Sequence, residues 1–289
     1  MKHMNPGISI VVLNWNAKEM TAECVASIKK QNFKDYELIV VDNGSNGNDA
    51  QYLKKKFNDV KIVQSEKNLG YAGGNNLGIK SAKRDWILIL NNDIALDKNF
   101  LKELWNNRNK ADILGAKNYY YDQKDIIWAI GSKVNKWTMK ANLVGNKVRD
   151  NGQLDEVEVS QIVGSAMFVK KEVFEKIGGL DESYFCYYEE TEWQTRATAA
   201  GFKISWVPSA KLWHKVAYSS GGGRSAFSAY YLVRNRARYI KKWSKHKLTA
   251  WMFWYAEIIA RVIYGALKNF EYSKRTIAGA QDFLKNSNQ

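Results

Sequence analysis

Short apolar runs alternate with segments of helical period over the first hundred residues. Residues 8–13 (ISIVVL) form an unbroken apolar run rich in β-branched side chains, which predicts a strand buried on both faces. Asn16 can cap a helix running to about Gln31, with Met20, Cys24 and Ile28 on one face. Residues 37–41 (ELIVV) give a second buried strand, ending in the turn Asp42-Asn43-Gly44-Ser45. A short helix to Phe57 and a third strand at 60–64 follow. A Gly/Asn-rich loop over 68–78 then opens a helix ending near Ala82, and residues 85–90 (DWILIL) form a fourth strand that ends in Asn91-Asn92-Asp93. Strand–helix alternation of this kind predicts an α/β fold, an open, mostly parallel sheet with right-handed crossovers. Ligands of such sheets bind beyond the carboxyl ends of the strands. Three polar clusters fall there: Asn14-Trp15-Asn16, 42–45 and 91–93.

Beyond residue 115 the pattern breaks into turn signals and aromatics (Tyr119-Tyr120-Tyr121, Trp128, Trp137), which predicts short strands or hairpins up to residue 160. Residues 161–169 read as a strand, and 171–177 as a short helix stopped by Gly178-Gly179. Residues 189–200 read as a helix closed by Gly201, and 203–207 as a last strand before Pro208. The glycine run at 221–223 is expected to separate a body, residues 1–223, from a helical tail, residues 224–289. Within the body, a first half to about residue 115 and a second half over 116–223 are expected.

Composition narrows the class. Forty-five per cent hydrophobic residues over 289 positions exclude wholesale disorder, and two cysteines exclude a disulfide scaffold or a four-cysteine zinc site. The formal charge of +15 is uneven: residues 203–289 hold 16 Lys and Arg against three acids, leaving the rest nearly neutral. A basic tail suits an acidic partner, and the chemistry of the chain has to say which.

Five features could carry chemistry. Asp42 at a strand end can accept a hydrogen bond from a base or a ribose, or simply form the turn. The 68–78 segment combines glycines, which permit close backbone approach, with amide side chains, and it lacks both a dinucleotide fingerprint and a Walker loop. Asn91-Asn92-Asp93 offers hard oxygen ligands for a divalent cation, or serves as a turn. Glu189, Glu190 and Glu192 share one helical turn. Crowding raises carboxyl pKa values and suits a general base, although acids also favour helix N-termini. His214 follows the final strand and could meet a metal or a phosphate, or be structural.

In this order the motifs VVLNWN (11–16), VVDNGS (40–45), NLGYAGGNNLG (68–78), LILNND (88–93) and GSAMFVKKEVFEKIGGLDESYFCYYEETEW (164–193) resemble the inverting family-2 glycosyltransferases of GT-A (Rossmann-like) fold, particularly the rhamnosyltransferase-like branch. The resemblance extends over about 7–240, including YYLVRNRARY (230–239). It implies a GT-A catalytic domain over 1–223, with a nucleotide-sugar half and an acceptor half. It implies a donor site drawn from Asn14, Asn16, Asp42, Asn68, Gly70, Asn75 and Asn92. Asn91-Asn92-Asp93 falls at the DXD position, implying a Mn2+ or Mg2+ ion on Asp93 with Asn91 and His214, and Asn stands in place of the first Asp. Glu190 falls at the base position, with Glu189 and Glu192 as competitors. The implied reaction is a single inverting displacement of a hexosyl group, with rhamnose among the candidates, from a nucleoside-diphosphate sugar onto a saccharide or lipid-linked saccharide in surface polysaccharide or glycan synthesis. A sugar nucleotidyltransferase and an inactive nucleotide-sugar-binding scaffold are the alternatives.

The tail carries Arg234, Arg236, Arg238, Lys241, Lys242, Lys245 and Lys247, followed by 248–267 (LTAWMFWYAEIIARVIYGAL), whose only charges, Glu257 and Arg261, are spaced to pair. A basic flank, Trp and Tyr enrichment and a one-sided apolar face fit a helix in a membrane interface, and equally one packed on the body. No nucleic-acid module is recognised. The expectation is a cytoplasmic protein, peripheral on the inner face of an anionic membrane through 230–289, with no nucleic acid partner and no spanning helix.

Overall fold

A computed structural model of the chain describes residues 5–216 and 225–286. The glycine run at 221–223, expected to mark a boundary, lies outside the described residues. Strands β1 (Ile8–Asn14), β2 (Tyr36–Asn43), β3 (Lys61–Ser65) and β4 (Trp86–Asn91) pair in parallel in the order β3-β2-β1-β4. They are connected by α1 (Lys18–Lys29), α2 (Asp49–Lys56) and α3 (Gly70–Ser81). The apolar runs divide by the two-residue period of a strand. Ile8, Ile10 and Val12 pack with Cys24, Val25 and Ile28 of α1, while Val11, Ile39, Val41, Ile87 and Ile89 feed a second core on the opposite face. Register aligns Asn14 with Asp42 and Leu13 with Asn91, so the three polar clusters share one edge.

The chain continues through β5 (Ile94–Leu96), α4 (Phe100–Asn106), β6 (Ile113–Tyr120), β7 (Ile126–Ala129), β8 (Gly131–Val134), β9 (Ala141–Val144) and β10 (Val148–Arg149); β8 and β9 pair as a separate two-stranded hairpin, and the other strands join the main sheet. β11 (Ala166–Lys170) inserts antiparallel between β4 and β6, and β12 (Ile204–His214) runs parallel to β6 and antiparallel to β5. The sheet is therefore parallel over its first four strands and mixed beyond them. α5 (Lys171–Ile177), a single 3-10 turn (Glu182–Tyr184) and α6 (Glu189–Ala199) return the chain to the polar edge. α7 (Ala226–Trp243), α8 (Lys247–Lys268) and α9 (Phe270–Asn286) close the molecule. They share a core of Val233, Ala237, Ile240, Ala250, Trp254 and Phe283 that also takes in Met139 from the turn between β8 and β9.

Four sequence expectations need correction. Asn16 does not cap α1: it sits at φ 49°, its side-chain oxygen accepts from the Asn46 amide, and the helix starts at Lys18. The 68–78 segment is helix from Gly70 onward rather than a loop. Its glycines serve helix-on-sheet packing, since a Cβ on Gly78 would lie 2.2 Å from Val11 and one on Gly74 2.4 Å from Leu13. The strand expected over 161–169 is instead 166–170, and Gln161 makes an isolated bridge to Ser132. The last strand does not stop at Pro208. β12 shifts register between Val207 and Lys211, a bulge that tolerates a residue with no N–H to donate, and runs on to His214.

Candidate active site

The polar edge of β1, β2 and β4 is a hydrogen-bonded network. The buried Asn14 amide donates to Asp42 Oδ1 (3.2 Å), Ser45 Oγ (3.2 Å) and Asp49 Oδ2 (3.0 Å), and its oxygen accepts from Thr21 Oγ1 (2.6 Å). Asn14 is thus committed within the protein and fixes Asp42, which is itself buried. The Asn16 amide N–H donates to Ser45 Oγ at 2.8 Å, and Asn92 Nδ2 donates to Thr21 Oγ1 at 2.9 Å. Asn68 Oδ1 accepts from Asn43 Nδ2 (3.0 Å) and the Gly70 amide (2.8 Å), shaping the entry to α3. Asn75 Nδ2 donates to the Tyr71 carbonyl, and its buried Oδ1 has no hydrogen-bond partner.

Asp93 and His214 meet just past the ends of β4 and β12. His214 Nε2 lies 3.1 Å from Asp93 Oδ1, but the contact lacks hydrogen-bond alignment, leaving Asp93 Oδ1 and His214 Nδ1 both buried without a hydrogen-bond partner. Buried polar atoms are normally paired, so an orphan on each of these neighbouring side chains needs an explanation. A cation that takes further ligands from water and phosphate provides one. No cluster of three or more His, Cys, Asp or Glu suited to a metal occurs among the described residues, so such an ion would have only this pair, with an Asn91 oxygen nearby in sequence, as protein ligands. A cavity of about 510 Å³ adjoins Asp93, lined by Met20, Glu23, Asn92, Tyr121 and Lys215.

Glu189 and Glu190 open α6. Each has an Oε2 that is buried without a hydrogen-bond partner. Burial, reinforced by the neighbouring Glu190, holds the Glu189 carboxyl well above the usual range, and burial raises Glu190 as well. Glu192 leaves the competition. It is fully buried but engaged by Arg196 Nε (2.9 Å), Lys242 Nζ (2.8 Å) and the Trp243 indole (3.3 Å). Tyr71 of α3 is within electrostatic reach of both the glutamates and Asp93. Burial, then Glu189 and Glu190, then Cys186 and Asp93 all oppose its ionisation, so it feels both groups at once. The Tyr71 hydroxyl donates to the Gly164 carbonyl at 2.6 Å. A Cβ on Gly164 would come within 3.3 Å of both Glu190 Cγ and the Tyr71 hydroxyl.

The fold therefore brings Asp42, Asn92 and Asp93 to one edge of the sheet at the ends of their strands, with His214 at the end of β12 beside Asp93, and Glu189 and Glu190 enter from the N-terminus of α6. Tyr71 and Gly164 were not singled out from sequence, although both lie inside the motifs GYAGG and GSAMF. Their roles arise from a contact spanning 93 residues.

Comparison with known proteins fits this geometry. Residues 9–178 match the sequence model described as Glycosyl transferase family 2. The chain is 29% identical over 241 residues to the "Low-salt glycan biosynthesis hexosyltransferase Agl10" of Haloferax volcanii, covering 79% of this chain and 74% of that protein. It is 27% identical to the "dTDP-rhamnosyl transferase RfbF" of Shigella flexneri, covering 83% and 81%. In structure it resembles S. aureus TarS 1-349, with TM-score 0.60 at 17% identity over 96% of this chain and 80% of that one. The same TarS segment solved in complex with UDP matches with TM-score 0.56 at 18% identity, over 86% and 69%.

Proposed function

The chain belongs to glycosyltransferase family 2, and from that premise we propose that it moves a hexosyl group, rhamnose foremost, from a nucleoside-diphosphate sugar to a saccharide or lipid-linked saccharide acceptor with inversion. The observation that carries this reading is the Glu189–Glu190 pair, each with a buried oxygen that has no hydrogen-bond partner, within electrostatic reach of Tyr71 as Asp93 is. Glu190 acts as general base. Its carboxylate takes the proton of the acceptor hydroxyl as that oxygen attacks the anomeric carbon from the face opposite the leaving diphosphate. Glu189 keeps the pair short of full ionisation and so keeps Glu190 basic. Asp42, fixed by Asn14, receives the nucleoside, and the Asn68, Gly70 and Asn75 segment borders the donor. Asp93 and His214, with Asn91, would hold Mn2+ or Mg2+, which supplies charge neutralisation on the leaving diphosphate when bound. Likeness to a protein named as a dTDP-rhamnosyl transferase supports a dTDP-rhamnose donor, with UDP-hexoses as the next candidates.

The reading includes a membrane surface as partner. No helix among the described residues is long and apolar enough to cross a membrane. α8, however, is inside out: Glu257 and Arg261 point inward to partners, while Leu248, Met252, Tyr255, Ile259, Ile263 and Leu267 are exposed. Lysines 245, 247 and 268 flank this stripe. Two copies packed stripe to stripe would bring lysines together without acids to meet them, so an anionic lipid interface is the better match.

Incubating the protein with Mn2+ or Mg2+ and a panel of nucleotide sugars tests the activity. Donor hydrolysis or transfer is expected. No turnover with any donor would overturn the reading, and tight donor binding without turnover, lipid acceptors included, would leave a sugar-nucleotide-binding scaffold.

A further inference from the structure

The segment leading into α6 has an unusual backbone. Phe185, Tyr187 and Tyr188 lie at φ 64°, 68° and 70°, a left-handed conformation that side-chain-bearing residues adopt only where their surroundings impose it. What imposes it comes largely from α7. Asn235, fully buried, donates through Nδ2 to the carbonyls of Tyr184 (2.8 Å), Cys186 (2.8 Å) and Tyr187 (2.7 Å). Arg234 donates from Nη2 to the carbonyls of Ser183 (3.1 Å) and Tyr184 (2.9 Å). Its Nε donates to Asn235 Oδ1 at 2.9 Å, which fixes the amide so that its N–H groups face the loop. Arg234 is itself held by Asp282 of α9. The remaining carbonyl, that of Phe185, accepts from the Tyr71 and Ala72 amides of α3. Every carbonyl from 183 to 187 is thereby gripped, four of them by α7.

We infer that Asn235, oriented by Arg234, is a positioning residue for the catalytic base: it holds the 183–188 loop in the left-handed path that delivers Glu189 and Glu190 to the reaction. This assignment rests on the reading of those glutamates as the base pair. It gives a role to the Arg-Asn of YYLVRNRARY, and it makes the first helix of the basic tail part of the catalytic machinery.

The test is steady-state kinetics of the full chain with a turned-over donor, comparing Asn235→Ala, Arg234→Lys and Glu190→Gln. Asn235→Ala should lower kcat about 30-fold or more, with the donor KM and nucleotide affinity within about twofold, because Asp42 and Asp93 stand on other elements. Its acid limb should move to lower pH as a relaxed loop lets water reach the carboxyl pair. Arg234→Lys keeps the charge on Asp282 but loses the Nε bond, so it should lie between the wild type and Asn235→Ala. It also answers the question if Asn235→Ala does not fold. Unchanged kcat and an unmoved pH profile in whichever variant folds would overturn the inference, as would equal losses in kcat and donor affinity. Full transfer by Glu190→Gln would instead sink the base assignment itself, whatever the loop variants do.

Discussion

The Tyr71 hydroxyl donates to the Gly164 carbonyl across 93 residues of sequence, and this one bond ties the first turn of α3 to the strand connection lying against Glu190. Burial and the nearby glutamates hold the phenol well above its usual pKa, so it remains a donor over the whole working pH range. Tyr71→Phe removes the donor and leaves the carbonyl unpaired, which costs about 1–2 kcal/mol. Thermal unfolding should show that loss, and transfer should fall about tenfold as Glu190 loses its fixed neighbour.

The glutamate pair makes opposite predictions for rate and stability. Both carboxyls are raised above the ordinary value of 4.5 in the folded chain. Between that value and the raised ones the native state binds more protons than the unfolded state, so stability falls as pH rises through the window. Transfer needs the ionised base, so its rate climbs over the same interval. Glu189→Gln should therefore raise the melting temperature at pH 8, leave it nearly unchanged at pH 4, and shift the acid limb of kcat downward. Glu190→Gln should cost about 10²–10⁴-fold in kcat. A melting temperature that is flat with pH in the wild type would contradict the buried pair.

Chelation should abolish transfer, and Mn2+ or Mg2+ should restore it. Asp93→Asn and His214→Ala should each raise the metal concentration needed for half-maximal rate and lower kcat about 100-fold. Donor binding measured without metal should change far less. Full activity in a chelator would remove the ion from the reaction and leave the two orphaned atoms to be explained otherwise.

Much of this was legible in the chain, for a physical reason. A parallel strand buried on both faces must be continuously apolar, so 8–13, 37–41 and 85–90 announce themselves, and polar residues at their ends have nowhere to go but one edge. Residues whose work depends on distant partners were not legible. Asn235 reads as one polar residue in a basic stretch until its three carbonyl partners, 48 to 51 residues away, are seen. The 68–78 glycines suggested a loop because the sheet residues they press against, Val11 and Leu13, lie more than sixty residues earlier. Pro208 suggested a strand end because a bulge is a tertiary accommodation. The tail's charge also divides on inspection: Arg234 and Arg236 are buried in the body, while the lysines flanking α8 remain for an external partner.

Liposome co-sedimentation tests that partner. Truncation at residue 223 is the wrong comparison, since it removes α7 and with it the support of the base loop. Ile259→Glu with Ile263→Glu is better: both side chains are more than half exposed, so the fold should tolerate the change. Each apolar side chain withdrawn from a lipid interface forfeits about 1.5–3 kcal/mol, so binding to anionic vesicles should drop about 100-fold or more. Solution turnover with a soluble acceptor should be retained. Equal partitioning of the wild type and the double variant would exclude α8 as the membrane face.

Glu257 is the joint between α8 and the body. Glu257 accepts from Arg236, Arg261 (2.8 Å) and Lys140 (2.7 Å), and Arg236 in turn donates to the Thr138 carbonyl in the turn between β8 and β9. Burial works against the Glu257 charge, but Lys140, Arg261 and Arg236 together hold its carboxyl below the usual value of 4.5. Glu257→Gln leaves Arg236, whose side chain is 3% exposed, without its counter-charge. Breaking one side of such a pair costs about 3 kcal/mol, and thermal unfolding at pH 7 should show it. A depressed carboxyl contributes stability that is present above its unfolded pKa and lost as pH falls through the folded one. The wild type and Glu257→Gln should therefore converge on acidification below about pH 4.5 and separate above it. A constant gap across that range would mean the glutamate acts through packing alone.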